Sequence, residues 1–235
     1  MRWTVLAAGL LAATTAYAAE RVLGPEYPDI APVMRPAPPD VFVAGPQTTM
    51  PRARDNALPR TRWEHRRNGD LWTRVAMRSA KAHGLVNVVP QDIDEWCPAY
   101  SEQSQMARAA FWAGLISTLA RYESTWNERA IGGGGRWHGL MQIQPSTAAF
   151  RGCRAQTARA LRVGPDNVSC AARIMGVTVQ RDKAISVKGS RRWQGVAADW
   201  GPIRTTWMRR DMQRYTKRQV YCRLLADVRP KPRPE

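Results

Sequence analysis

The sequence predicts a mainly α-helical domain, or an α+β one if residues 131–144 form a small hairpin, preceded by a disordered Pro/Arg-rich arm. Three observations carry that expectation. Apolar residues recur at helical spacing in several stretches after residue 70. Nine of the seventeen prolines lie in residues 24–59, where almost no periodic apolar pattern is found. Of the 235 residues, 44% are hydrophobic, too many for a wholly disordered chain and too dispersed for a multi-span membrane protein.

The chain opens with Arg2 as the only charge in residues 1–18, an apolar run from Val5 to Ala13, and the small-x-small pattern Ala16-Tyr17-Ala18. These are the parts of a cleaved signal peptide, residues 1–18. The apolar run is much shorter than the ~20 residues that span a bilayer, so no stable membrane insertion is expected after cleavage. Residues 19–69 follow as the solvated arm, ending in Arg52, Arg54, Arg60, Arg62, Arg66 and Arg67. Asp70 reads as the cap of a first helix that runs to about His83 and stops at Gly84. The fold proper is expected over residues 70–228, long enough for one core, and residues 229–235, with Pro230, Pro232 and Pro234, form a disordered tail.

Within the domain the strongest helix spans about Ser101 to Ser124, where Trp112, Ile116, Leu119 and Glu123 fall on one stripe. Further helices are expected from Ser146 to about Phe150, from Asn167 to about Ile185, and from Thr205 to about Ala226, the last with Met208, Met212, Tyr215, Cys222 and Leu225 on its apolar face. Gly132 to Gly135 lack the Lys-Ser/Thr that a phosphate-binding loop requires, which argues against a nucleotide loop.

Export gives meaning to Cys97, Cys153, Cys170 and Cys222. Four cysteines in an oxidising compartment allow two disulfides in three connectivities, of which Cys153 with Cys170 and Cys97 with Cys222 is the preferred one. Their spacing fits no zinc pattern, and His65, His83 and His138 form no His-x-x-x-His pair, so neither metal nor cofactor is expected. The formal net charge is +17, and residues 204–229 hold eight basic groups against Asp211 and Asp227. Such a charge suits a polyanionic surface. Nucleic acid is not the expected partner, because export is predicted and no helix-turn-helix, RNA-binding or zinc-finger signature is present.

One carboxylate stands out. Glu123 shares a stripe with apolar side chains, and a carboxylic acid held there loses solvation of its charged form and stays protonated nearer neutral pH. The stretch after it is rich in Gly and Trp, and Trp126 and Trp137 offer flat faces suited to sugar rings. Periodicity alone favours the plainer reading, a helix-end charge bonded to a neighbouring Arg or amide, because apolar stripes are usually just core.

The longer pattern is more specific. Ala120-Arg121-Tyr122-Glu123-Ser124-Thr125-Trp126-Asn127, then Gly139-Leu140-Met141-Gln142-Ile143 with Pro145-Ser146-Thr147-Ala148, then Asn167-Val168, and later Trp200-Gly201-Pro202, resemble the successive motifs of the soluble lytic transglycosylase family. The resemblance fades before about residue 90 and after about residue 205. It implies a lysozyme-like helical fold, a periplasmic or secreted location, and cleavage of the β-1,4 bond between N-acetylmuramic acid and N-acetylglucosamine in peptidoglycan glycan strands. Glu123 matches the family's catalytic acid, and Ser124, Met141, Gln142, Asn167 and Trp200 match positions near the substrate. A secretion or conjugation machine is a candidate partner. Many members carry Ala-Tyr-Asn-Ala-Gly at the third motif, where this chain reads Ala197-Ala198-Asp199-Trp200-Gly201-Pro202. The missing Tyr leaves the orientation of Glu123 to another group. Asp199, if near the cleft, opens the alternative of a hydrolytic muramidase, although a surface or Arg-paired role is the plainer reading of Asp199, as of Asp182 beside Arg181. A third alternative is an inactive wall-binding or secretion-assembly protein.

Overall fold

A computed structural model describes residues 58–223. The leader at 1–18, most of the arm and the tail at 229–235 lie outside the described residues. Among the described residues, six α-helices and one two-stranded sheet run in the order α1 (Gly69–Ala82), α2 (Gln105–Ser124), β1 (Ile131–Gly132), β2 (Trp137–His138), α3 (Pro145–Phe150), α4 (Gly164–Asp182), α5 (Gly201–Arg204) and α6 (Thr206–Lys217). Short 3₁₀ turns join them.

Helix α2 is the axis. Every residue from Ala109 to Ala120 is buried, so the helix is covered on all sides, as a helix inside a packed core must be. It packs against α1, α4, α5 and α6. Its start lies four residues later than the sequence suggests, because Tyr100–Glu102 form a 3₁₀ turn and the Ser104 side chain caps α2 by accepting from the Ala107 amide at 3.3 Å.

Residues before Asp70 already belong to the folded domain, which corrects the expected boundary of the arm. Residues 58–69 pack on the domain. Trp63 is fully buried, meets Trp72 edge-on at 5.6 Å and donates its indole N–H to Thr73 Oγ1 at 2.8 Å. The Arg62 amide donates to Ser117 Oγ on α2 at 3.0 Å. Proline and arginine content suggested solvation there, but one tryptophan and a set of satisfied polar groups outweigh composition. Helix α1 accordingly starts at Gly69, with Asp70 in its first turn rather than at its cap.

Two other helices differ in extent. Helix α4 starts at Gly164 with a proline in its first turn, so Asn167 lies inside the helix and is not its cap. Helix α6 ends at Lys217 rather than near Ala226, because Gln219 is extended and Val220–Cys222 form a 3₁₀ turn. Leu225 lies outside the described residues. The expected hairpin is present: Ile131 pairs with His138 and Gly132 with Trp137, and His138 bridges on to Ile143. Gly133, Gly134 and Gly135 all take positive φ in its turn, a backbone that residues with a Cβ rarely adopt.

Two disulfides close the domain, Cys97–Cys222 and Cys153–Cys170. Among the described residues no helix is long and apolar enough to cross a membrane, and no group of three His, Cys, Asp or Glu side chains could hold a metal ion.

Candidate active site

Glu123 sits in the last turn of α2, one helical turn beyond the buried Leu119, and is half-buried. Burial alone pushes its carboxyl up from 4.5 to about 7. No hydrogen bond or ion pair to it is found among the described residues, so nothing there stabilises its charged form. The backbone immediately after it is strained. Thr125 and Trp126 have φ of 52° and 58°, and Gln142 across the loop has φ of 47°. Three of the four described non-glycine residues with positive φ therefore flank one spot, and such conformations persist only where the surrounding packing imposes them.

The segment His138–Gln142 is strapped in place beside this helix end. Ser124 Oγ donates to the Leu140 carbonyl at 2.9 Å, tying it to α2. The Met141 amide donates to Asn167 Oδ1 at 2.8 Å, and the Met141 carbonyl accepts from Trp200 Nε1 at 3.1 Å. Asn167 Nδ2 donates to the carbonyls of His138 and Leu161 at 2.9 and 2.8 Å. Gly139 permits this closeness: an ideal Cβ there would lie 2.1 Å from the Leu161 carbonyl oxygen and 2.4 Å from Asn167 Nδ2. Gln142 Nε2 donates to Gly139 O at 2.9 Å and Ala130 O at 3.4 Å, closing the hairpin onto the strap.

The residues expected at the substrate divide accordingly. Met141 and Asn167 are fully buried and Trp200 is 5% exposed. Met141 and Asn167 therefore shape the loop without reaching a ligand, a correction to their expected substrate contact. Ser124 is half-buried with its hydroxyl engaged to the loop. Trp126 is turned away from a platform role: its indole N–H donates to the Ser117 carbonyl at 2.9 Å and its ring packs edge-on against His65 at 4.9 Å. Trp137 is 42% exposed, with the Arg136 guanidinium over its ring at 5.4 Å. Trp137, Gln142, Gln144, Thr147, Asp199 and Trp200 are brought together around a cavity of about 110 Å³. Glu123 does not line that cavity.

Asp199 lies 3.7 Å from Arg151, yet burial outweighs the attraction of Arg151, Arg181 and Arg204 and pushes its carboxyl up. Asp182 is the opposite case. It pairs with Arg181 at 2.7 Å and accepts from the Gly195 amide at 2.8 Å, and the Arg181 hydrogen bond holds its carboxyl down.

Sequence reasoning passed over a cluster built on Tyr122, the residue before Glu123. Tyr122 donates its hydroxyl to Asp211 at 2.6 Å, Arg62 grips the same carboxylate with two nitrogens at 2.5 and 3.0 Å, and Arg121 approaches at 3.8 Å. The Arg62 hydrogen bond is the main cause that holds the Asp211 carboxyl down. Trp207, 62% exposed, meets Tyr122 edge-on at 5.6 Å. The signal was present, since Asp211 is the one acid among the basic residues of α6, but its partners come from residues 62 and 122 and only folding unites them.

Residues 100–198 match the Transglycosylase SLT domain family. Among solved structures, the chain is similar to wild-type Bd0314 DslA (form 2), with 24% identity and a TM-score of 0.64 over 72% of this chain and 100% of that one. A glutamate-to-glutamine variant of the same protein aligns over the same shares with 24% identity and a TM-score of 0.65. These likenesses establish the fold. Comparison with curated proteins finds no match.

Proposed function

We propose, for a chain that carries a transglycosylase SLT domain over residues 100–198, that it is a periplasmic or secreted lytic transglycosylase with Glu123 as general acid and then general base. The substrate is the β-1,4 bond between N-acetylmuramic acid and N-acetylglucosamine. The observation that carries the reading is the Glu123 carboxyl, half-buried, without a charged partner among the described residues, and pushed up to about 7.

Such a group is protonated enough near neutrality to give its hydrogen to the glycosidic oxygen as the bond to the muramic acid C1 breaks. The sugar's own N-acetyl group stabilises the cationic centre, and its 6-hydroxyl attacks C1. Glu123, now a carboxylate, takes the hydroxyl proton and returns to its starting state. Intramolecular attack is favoured over water because the hydroxyl is already in place. The product is a 1,6-anhydro end, with no water consumed. The strap at 138–142 is bonded to Ser124, the residue after the acid, and the exposed part of the Trp137 indole suits a sugar ring.

One observation favours a second reading. Asp199 lines the same cavity as Trp137 and Trp200, with its carboxyl pushed up by burial, and a second carboxylate suits activation of water. The enzyme is then a hydrolytic muramidase that leaves reducing muramic acid ends. Mass spectrometry of digested sacculi separates the two: anhydro ends support transglycosylation, reducing ends support hydrolysis. Glu123→Gln run beside the wild type is expected to lose wall clearing, and clearing at the wild-type rate would reject Glu123 as the acid.

A further inference from the structure

Helix α6 turns a cationic face outward. Trp207, Arg210, Arg214, Lys217 and the following Arg218 are all exposed. At 3.6 residues per turn they fall within an arc of ~100° and run for about 16 Å. None of these basic side chains takes part in an ion pair among the described residues. The helix's own acid, Asp211, is turned toward Arg62 and Tyr122, and Glu95 at the flank accepts from Gln213 at 3.0 Å. The strip begins against α2, the helix that carries Glu123. Trp207 packs on Tyr122, the residue before Glu123, and follows Trp200 by seven positions.

We infer that this strip binds the anionic peptide stems of the glycan strand and makes stem-bearing strands the preferred substrate. The inference rests on the reading of the protein as a wall-glycan enzyme. The stem is attached to the lactyl group of the muramic acid, the same sugar whose C1 bond is cleaved, so it leaves the strand close to the acid. Guanidinium groups pair with carboxylates through two parallel hydrogen bonds, which suits a run of arginines to a peptide with repeated carboxylates. An exposed tryptophan at the head of the run supplies an apolar face for the stem's first residues or the sugar itself.

The test uses the full chain carrying Glu123→Gln, which binds without cutting, pelleted with intact sacculi and with sacculi whose stem carboxylates have been capped as neutral amides by carbodiimide and glycinamide, a treatment that leaves the cross-linked network whole. Intact sacculi are expected to bind about tenfold tighter at low salt, the effect of about three exposed ion pairs. Adding Arg210→Gln, Arg214→Gln and Lys217→Gln lowers binding on intact sacculi to the level seen on capped ones. In the active background the same three changes raise KM on intact sacculi with kcat held within about twofold. Raising salt weakens binding of the unsubstituted face to intact sacculi and leaves capped sacculi nearly unaffected, a measurement that needs no change within the strip. Equal binding to intact and capped sacculi overturns the inference, and so does a triple variant, folded by thermal melting, that still prefers intact sacculi. If the wild type releases no product of either kind, the catalytic reading fails while the pelleting comparison still decides the strip.

Discussion

Glu123 holds its proton because its neighbours supply no charge to offset burial, and that has two measurable consequences. The acid step needs the protonated form, so kcat/KM on sacculi is expected to fall as pH rises through about 7. A flat profile from about pH 5 to 9 would contradict this. The same group loads stability in the opposite direction to most carboxylates. Its folded value lies above its unfolded one, so its contribution is complete below about 4.5 and is lost as pH rises through about 7, where the buried group must ionise. Glu123→Gln removes that cost. It is expected to match the wild type near pH 4 and to exceed it by on the order of 2–3 kcal/mol near pH 8 in urea unfolding. Helical periodicity revealed the sheltered side of this residue, since Trp112, Ile116 and Leu119 are all fully buried on its stripe. It could not reveal which neighbours were missing.

At the scale of elements, the strap between α2, α4 and Trp200 is the feature that sets the site. Asn167 provides three of its hydrogen bonds from a fully buried position. Asn167→Ala leaves buried carbonyls and an amide without partners and is expected to cost about 2–4 kcal/mol. Chemical denaturation measures that, and a loss under about 0.5 kcal/mol would mean that the loop finds other partners. The sequence marked Asn167 through the resemblance of Asn167-Val168 to a family motif near the substrate, with a helix cap as the plainer use of an Asn there. Its real use depends on His138, Met141 and Leu161, which no local rule connects to it. The limits of α6 show the same thing. Apolar spacing extends past Lys217, but Cys222 is bonded to Cys97, and the chain leaves the helical path before reaching it.

At the scale of the molecule, closure is shared between a short N-terminal segment and a long-range disulfide. Trp63→Ala removes a fully buried ring that also bonds to Thr73 and is expected to cost about 3–5 kcal/mol by denaturant unfolding. An effect under about 1 kcal/mol would place residues 58–69 outside the cooperative unit. Replacing Cys97 and Cys222 together by Ala frees a loop with a sequence separation of 125, and a loss of about 2–4 kcal/mol is expected. An unchanged unfolding midpoint would show that packing alone closes the domain.

The amino-acid order by itself determined the helical class, the sheltered carboxylate at 123 and the loop motif at 139–143, because each is written in residues close together along the chain. Tertiary structure alone decided that residues 58–69 belong to the core, that Asn167 and Met141 support the loop from within, that Trp126 turns inward, and that Asp211 gathers Arg62, Arg121 and Tyr122. Those outcomes depend on desolvation and hydrogen bonding between segments up to 149 residues apart, and such energies exist only once the chain has brought the partners together.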